Sequence, residues 1–259
     1  MIDYVSVEEA RRHDGICLVL TQGVPGPWGE AAKAILSAKE IPWLAVAQEG
    51  GGANEALAEW TGQTSAPVLV VPDEAPHSTL RGILMAAERL APEPALVPAD
   101  VDERAELLGL CEEIHGEMGL GWCRRLMMFD PILTAVPPGD PATERLERMA
   151  AKYGYFRGSH AVARERVIAI LEAFSTRIGR QLQSGSAFLF GDRLSALDLI
   201  WAAFSNLIVP LEADDCPMPD FLRATYTVDD AEVLAAVAPA LIEHRDRIFR
   251  DFIGLPMRF

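Results

Sequence analysis

Apolar residues follow one rhythm up to residue 91 and another beyond it. In the first stretch, short unbroken apolar runs alternate with helical spacing. Residues 16–20 form a continuous run of strand length, as a strand covered on both faces would. Residues 43–47 repeat the pattern, and Pro67-Val68-Leu69-Val70-Val71 makes a third run. Pro67 lacks a backbone N–H and so suits the first residue of a strand. Ala31, Ala34, Ile35 and Ala38 recur at helical spacing between the first two runs, with Pro27 in the first turn and Pro42 past the end. Ser6-Val7-Glu8-Glu9 is a capping box that opens a short helix ending near His13. Residues 54–60 have the length of another short helix. Residues 21–29 are a loop rich in Gly and Pro, Gly50-Gly51-Gly52 is a flexible turn, and residues 72–77 are a turn with room for a short hairpin strand beside it. Ser78 or Thr79 then caps a helix with Ile83, Leu84, Ala87 and Leu90 on one face. Strands alternating with helices predict a partly parallel sheet with helices on its faces.

Pro92, Pro94 and Pro98 fall close together and read as an extended linker. Beyond them strand signals nearly vanish. Residues 102–118 are helical, residues 117–122 interrupt or bend that helix, and residues 123–129 resume it. A loop at 137–141 leads to a helix over 142–153. Residues 161–183 form a long amphipathic helix with Val167, Ile170, Leu171, Phe174 and Ile178 at core spacing. Residues 195–209 are apolar enough for a buried helix, and residues 228–252 form a last helix in which Pro239 marks an admissible break. The expected organisation is an α/β domain over 1–91 with a short N-terminal helical extension, a linker over 92–101, and an all-helical domain over 102–259.

Charge narrows the partners. With 23 Lys and Arg against 38 Asp and Glu, the formal net charge is −15. Nucleic acid and anionic membrane surfaces both need clustered cations, so neither is expected as a partner. Cys17, Cys111, Cys123 and Cys216 lie far apart, with no Cys-x-x-Cys and no zinc-type spacing, so no metal site is expected. The N-terminus has no signal-peptide pattern and no run is long enough to span a bilayer; a soluble cytoplasmic protein is expected.

Two phrases carry the remaining information. Among peptide bonds, X–Pro is where cis is a normal structural device, so Ala66-Pro67 is a candidate cis bond, with a trans proline opening the strand as the alternative. In Gly191-Asp192-Arg193-Leu194-Ser195-Ala196-Leu197-Asp198, Ser195 and Asp198 have capping-box spacing at the start of the buried helix, a folding device rather than a catalytic one. Ala66-Pro67-Val68-Leu69, the Leu96-Val97-Pro98-Ala99-Asp100 linker and Phe188-Leu189-Phe190-Gly191-Asp192 through Asp198, in that order, resemble the cytosolic glutathione S-transferases over nearly the whole chain.

The resemblance implies a thioredoxin-like domain followed by a helical bundle, and a homodimer. It implies glutathione as co-substrate, no metal, and a small apolar electrophile in the cleft between the domains. The family lowers the thiol pKa with a donor at the start of the first α/β helix, helped by that helix's positive end. Here that position is Gly26, which has no side chain. A backbone N–H there, Thr21, Gln22 or the Trp28 indole are the candidate donors. Ala66 and Pro67 are the expected backbone contact to glutathione, with Trp28 in the cleft. The acidic residue that meets the glutathione amine is absent; Ser78 and Thr79 stand there, either as carboxylate-binding hydroxyls or as plain helix caps. Trp122, Arg125 and Phe129 are candidate cleft residues, with core packing as the alternative. Two functions remain open: a transferase forming or cleaving thioethers or ethers, and a non-catalytic protein of the same fold that holds apolar ligands or protein partners.

Overall fold

A computed structural model describes residues 2–259. The chain opens with α1 (Val7–Ala10), held by the Ser6–Glu9 capping box. Strand β1 (Cys17–Thr21) follows, then α2 (Pro27–Ala38), β2 (Leu44–Gln48), α3 (Glu55–Thr61), β3 (Val68–Val70) and α4 (Leu80–Leu90). The sheet order is β2-β1-β3. β1 runs parallel to β2, with Val19 opposite Val46, and antiparallel to β3, with Val19 opposite Val68. The β1–α2–β2 unit is the parallel crossover that the alternating pattern predicts. The chain ahead of α1 adds to the β2 edge through a parallel bridge between Val5 and Val46, and His77 pairs with Leu69 on the far side. The Ala66–Pro67 bond is cis.

Everything after α4 is helical: α5 (Val101–His115), α6 (Leu120–Thr134), α7 (Glu144–Ala151), α8 (Ser159–Gln183), α9 (Ala196–Ser205), α10 (Asp220–Tyr226), α11 (Ala231–Ala235) and α12 (Pro239–Ile248), closed by a π-helical turn at Phe249–Ile253. All of α9 is buried, and it packs against α2, α5 and α12. The hydrophobic core runs without a break from Leu18 and Ile35 in the α/β part to Ile200 and Phe204 in the helical part. Among the described residues no helix is long and apolar enough to cross a membrane.

Asp198 anchors this core. Its carboxylate accepts from the Leu189 N–H (2.7 Å), the Ser195 N–H (2.8 Å) and the Ser195 hydroxyl (2.6 Å). A fourth donor is Nε2 of His244 on α12, at 2.8 Å. A carboxylate only accepts, so that ring nitrogen carries the hydrogen.

Two expectations from the sequence change, and one helix is new. Residues 228–252 are not one helix: Asp230 caps α11 with its side chain, and Pro239, whose ring suits only a first turn, starts α12. α10 was not signalled at all, since its seven residues lack a periodic apolar stripe and Phe221 is 74% exposed. Leu90 is 37% exposed rather than packed, because it ends α4 and lies beyond the helix's buried face.

All four cysteines are free and buried, and burial pushes each thiol up, Cys123 and Cys216 to about 11.

Candidate functional site

A cavity of about 810 Å³ opens between the α/β part and the helical part. Its inner wall is the end of β1 (Leu20, Thr21), the N-terminus of α2 (Gly26, Trp28, Gly29), the glycine turn and Thr64-Ser65-Ala66. Its outer wall is the face of α6 that carries Arg125, Met128 and Phe129, with α7 and α10 across the mouth.

The α2 terminus is chemically open. Gly26 is the N-cap and provides no side-chain cap, and Pro27 has no N–H. The Gly26 N–H is already spent on the Val24 carbonyl at 2.8 Å. The N–H groups of Trp28 and Gly29 therefore stand at the positive end of a 12-residue helix with no cap above them. A Cβ at Gly26 would meet nothing within 4 Å, so there is room above that terminus.

Two of the three side chains offered by sequence as thiol donors, Thr21 and Trp28, are committed elsewhere. Gln48 donates its amide to the Glu49 and Thr64 carbonyls at 2.7 and 3.1 Å. That orientation turns its oxygen toward Thr21, whose hydroxyl donates to it at 2.7 Å. Thr21 thus lines the cavity with its proton pinned away, able to accept and not to donate. The Trp28 indole N–H donates to the His115 carbonyl at 3.0 Å, and its ring packs edge-on against Phe204 at 4.8 Å. Trp28 joins the two halves of the molecule and presents a ring, not a donor, to the cavity.

Gln22, Pro67, Ser78, Thr79 and Trp122 do not line the cavity. The Gln22 N–H continues the ladder to the Gln48 carbonyl. Thr79 caps α4, accepting from the Gly82 N–H at 3.0 Å. Trp122 stands behind Tyr153, 5.0 Å between rings, and supports a lining residue without being one. Ala66, Arg125 and Phe129 do line it.

Sequence reasoning missed several lining groups. Tyr4 reaches the cavity because the Val5 bridge lays the N-terminus along β2. Burial, with the Glu30 carboxylate as a lesser cause, holds its phenol at about 12, so it stays protonated and can only act as donor or neutral acceptor. Glu30 sits in the first turn of α2, nearly buried, paired with Lys33 at 2.7 Å. Burial raises its carboxyl from the usual 4.5 to about 7, against the pull of Lys33. α7 supplies Arg145 and, just past its end, Lys152, which fasten the helix to the other wall. Arg145 bonds to Glu49 and the Gly50 carbonyl, and Lys152 to the Ser65 hydroxyl at 2.8 Å. The glycine turn permits this approach: a Cβ at Gly51, where φ is +72°, would lie 2.7 Å from the Arg145 Nε.

Glu30 makes stability depend on pH in a stated direction. Its folded pKa lies above the unfolded one, so the folded state binds more protons between pH 4.5 and 7 and loses stability as pH rises through that window. The loss has an upper bound of about 3 kcal/mol. Urea unfolding at pH 5 and pH 8 measures it. Glu30→Gln should flatten the difference, and an unchanged slope in that variant would refute the assignment.

No family model and no curated protein matches this sequence. Solved structures do match its shape. A glutathione S-transferase from Methylobacterium radiotolerans, in complex with glutathione sulfonate, is 16% identical with a TM-score of 0.59, covering 94% of this chain and 97% of its own. Glutathione transferase Omega 3C from Trametes versicolor is 13% identical with a TM-score of 0.57, covering 95% and 90%. Beta-etherase LigF from Sphingobium sp. strain SYK-6 is 17% identical with a TM-score of 0.56, covering 90% and 99%. At these identities the likeness establishes the fold: a thioredoxin-like α/β part followed by a helical part, as in glutathione S-transferases.

Proposed function

We propose that the protein binds glutathione along the α/β wall of the cavity and transfers its sulfur, as thiolate, to a small apolar electrophile held against α6. The observation that carries this reading is the open N-terminus of α2 facing the cavity beside Ala66. The Trp28 and Gly29 N–H groups would receive the thiolate, and the helix dipole would lower the thiol pKa with no side chain at Gly26. The free phenol of Tyr4 is the one lining tyrosine on the α/β side and would serve as a further donor. The sulfur then attacks the electrophilic carbon, the leaving group departs with its electron pair, and the thiol proton goes to solvent.

A second reading has its own support. Thr21 and Trp28 are both committed, so no donor side chain remains at the family's usual place, and the cavity would hold ligands without turning them over.

Calorimetry with glutathione separates these from an unrelated use of the cavity. Binding in the micromolar-to-millimolar range is expected, lost in Ala66→Pro, which removes the N–H beside the cis bond, and unchanged in Thr21→Val. A folded protein that takes up no glutathione at tens of millimolar would sink both the transfer chemistry and the glutathione site. Binding without turnover of any electrophile in a broad screen would favour the second reading.

A further inference from the structure

Among the described residues Arg125 is a cation of the α6 wall with no ion-pair partner. Two arginines stand side by side on α6 and have different fates. Arg124 is buried, and its guanidinium is consumed by backbone: the Leu207 carbonyl at 2.8 Å and the Tyr226 carbonyl at 3.5 Å. Arg125 turns into the cavity. Its neighbours are the Tyr226 hydroxyl at 3.4 Å, the Met128 sulfur at 3.8 Å and the Tyr226 ring, 5.5 Å from the guanidinium carbon to the centroid. Among the described residues it forms no ion pair within 4.0 Å. A guanidinium cannot shed its charge, and its side-chain contacts here, to a sulfur and to the Tyr226 and Tyr153 phenols, are all to neutral groups.

The surroundings fit an occupant of one kind. Met128, Phe129, Tyr153 and Leu222 give an apolar lining with two aromatic rings on the same side of the cavity. The chain carries a net charge of −15, yet the cavity is lined by Arg125, Arg145, Arg148 and Lys152 against the single carboxylate of Glu30. Arg145 and Arg148 have acidic partners in Glu49 and Glu144; Lys152 has none and sits by Ser65 on the opposite wall. The local field therefore favours anions where the molecule as a whole repels them.

We propose that the outer-wall subsite takes an aryl carboxylate, its ring against Phe129 and Tyr153 and its carboxylate on the Arg125 fork. This rests on the functional reading above only in assigning the outer wall to the second substrate.

Biphenyl-4-carboxylate and biphenyl-4-carboxamide have nearly the same shape and differ in charge. Their binding is measured by calorimetry, with and without saturating glutathione. The carboxylate should bind at least about tenfold more tightly than the amide, as charge-assisted bidentate pairing predicts. Arg125→Met should erase that preference by weakening the carboxylate about tenfold or more, leaving the amide and glutathione affinities within about twofold. The unchanged amide affinity reports an intact cavity. Arg125→Lys should keep part of the preference, since it holds the charge and loses the fork. Equal binding of the two probes, binding of neither at millimolar concentration, or a preference that survives Arg125→Met would overturn the proposal. So would a loss confined to glutathione, which would assign Arg125 to that ligand. A carboxylate preference without any glutathione binding would sink the transferase reading and leave this one standing.

Discussion

Asp198→Ala should cost the protein about 3–5 kcal/mol, the range for breaking a buried charged network by removing one partner. The substitution strips four donors of their acceptor at once: two N–H groups, a hydroxyl and the His244 ring. Water has no ready access, since Asp198 is fully buried and His244 is 4% exposed. Each orphaned buried donor costs about 1–3 kcal/mol, so collapse of the cavity cannot compensate. Ser195→Ala removes one hydroxyl and leaves three bonds, and should cost only about 1 kcal/mol. Urea midpoints read by far-UV circular dichroism compare the two. A loss below 1 kcal/mol for Asp198→Ala would mean that the network does not hold α9 to α12.

Gly121→Ala should cost about 3 kcal/mol, at the upper end for overpacking a core, although alanine is the better helix former. A Cβ there would lie 2.4 Å from Cε1 of Phe204 and 3.0 Å from Cη2 of Trp28. Phe204 is fully buried and Trp28 is tethered to the His115 carbonyl, so neither ring has free space to retreat into. The only relief is to push α6 away from α9 and α2, which loosens the cavity as well as the core. Gly109→Ala is the control: its Cβ meets nothing within 4 Å on the exposed side of α5, and it should gain about 1 kcal/mol of helix propensity. Thermal melts together with the tryptophan emission maximum test both. A silent Gly121→Ala would show that the close approach is not required.

The fold was legible wherever local chemistry decides it. The strand runs, the Ser6–Glu9 box, Pro27 at a helix start and the Ser195–Asp198 spacing each describe interactions within a few residues of one another. The cavity depends on longer reach. Tyr4 arrives because Val5 pairs with Val46, a contact across some forty residues that no spacing announces. The pinning of the Thr21 proton needs Gln48 and, through it, the Thr64 carbonyl. Arg145 and Lys152 are ordinary surface cations until the glycine turn lies beneath the one and Ser65 beneath the other. Arg125 and Phe129 were legible as cleft candidates because they share a helix face; the contact that turns the neighbouring Arg124 away, to the Leu207 carbonyl, spans the helical part and was not.

The four cysteines bear on the proposed chemistry from the opposite side. A cavity that admits reactive carbon compounds exposes its own host to alkylation, and thiolates are the first groups to be lost. Here each thiol is held in its protonated, unreactive form by burial, and none lines the cavity. Cys123, on the same helix as Arg125, turns its sulfur to the Met118 carbonyl at 3.3 Å instead. Under the proposed chemistry the sulfur that reacts would be brought in by the ligand and would leave with the product, so the protein's own thiols would survive repeated exposure to the electrophile.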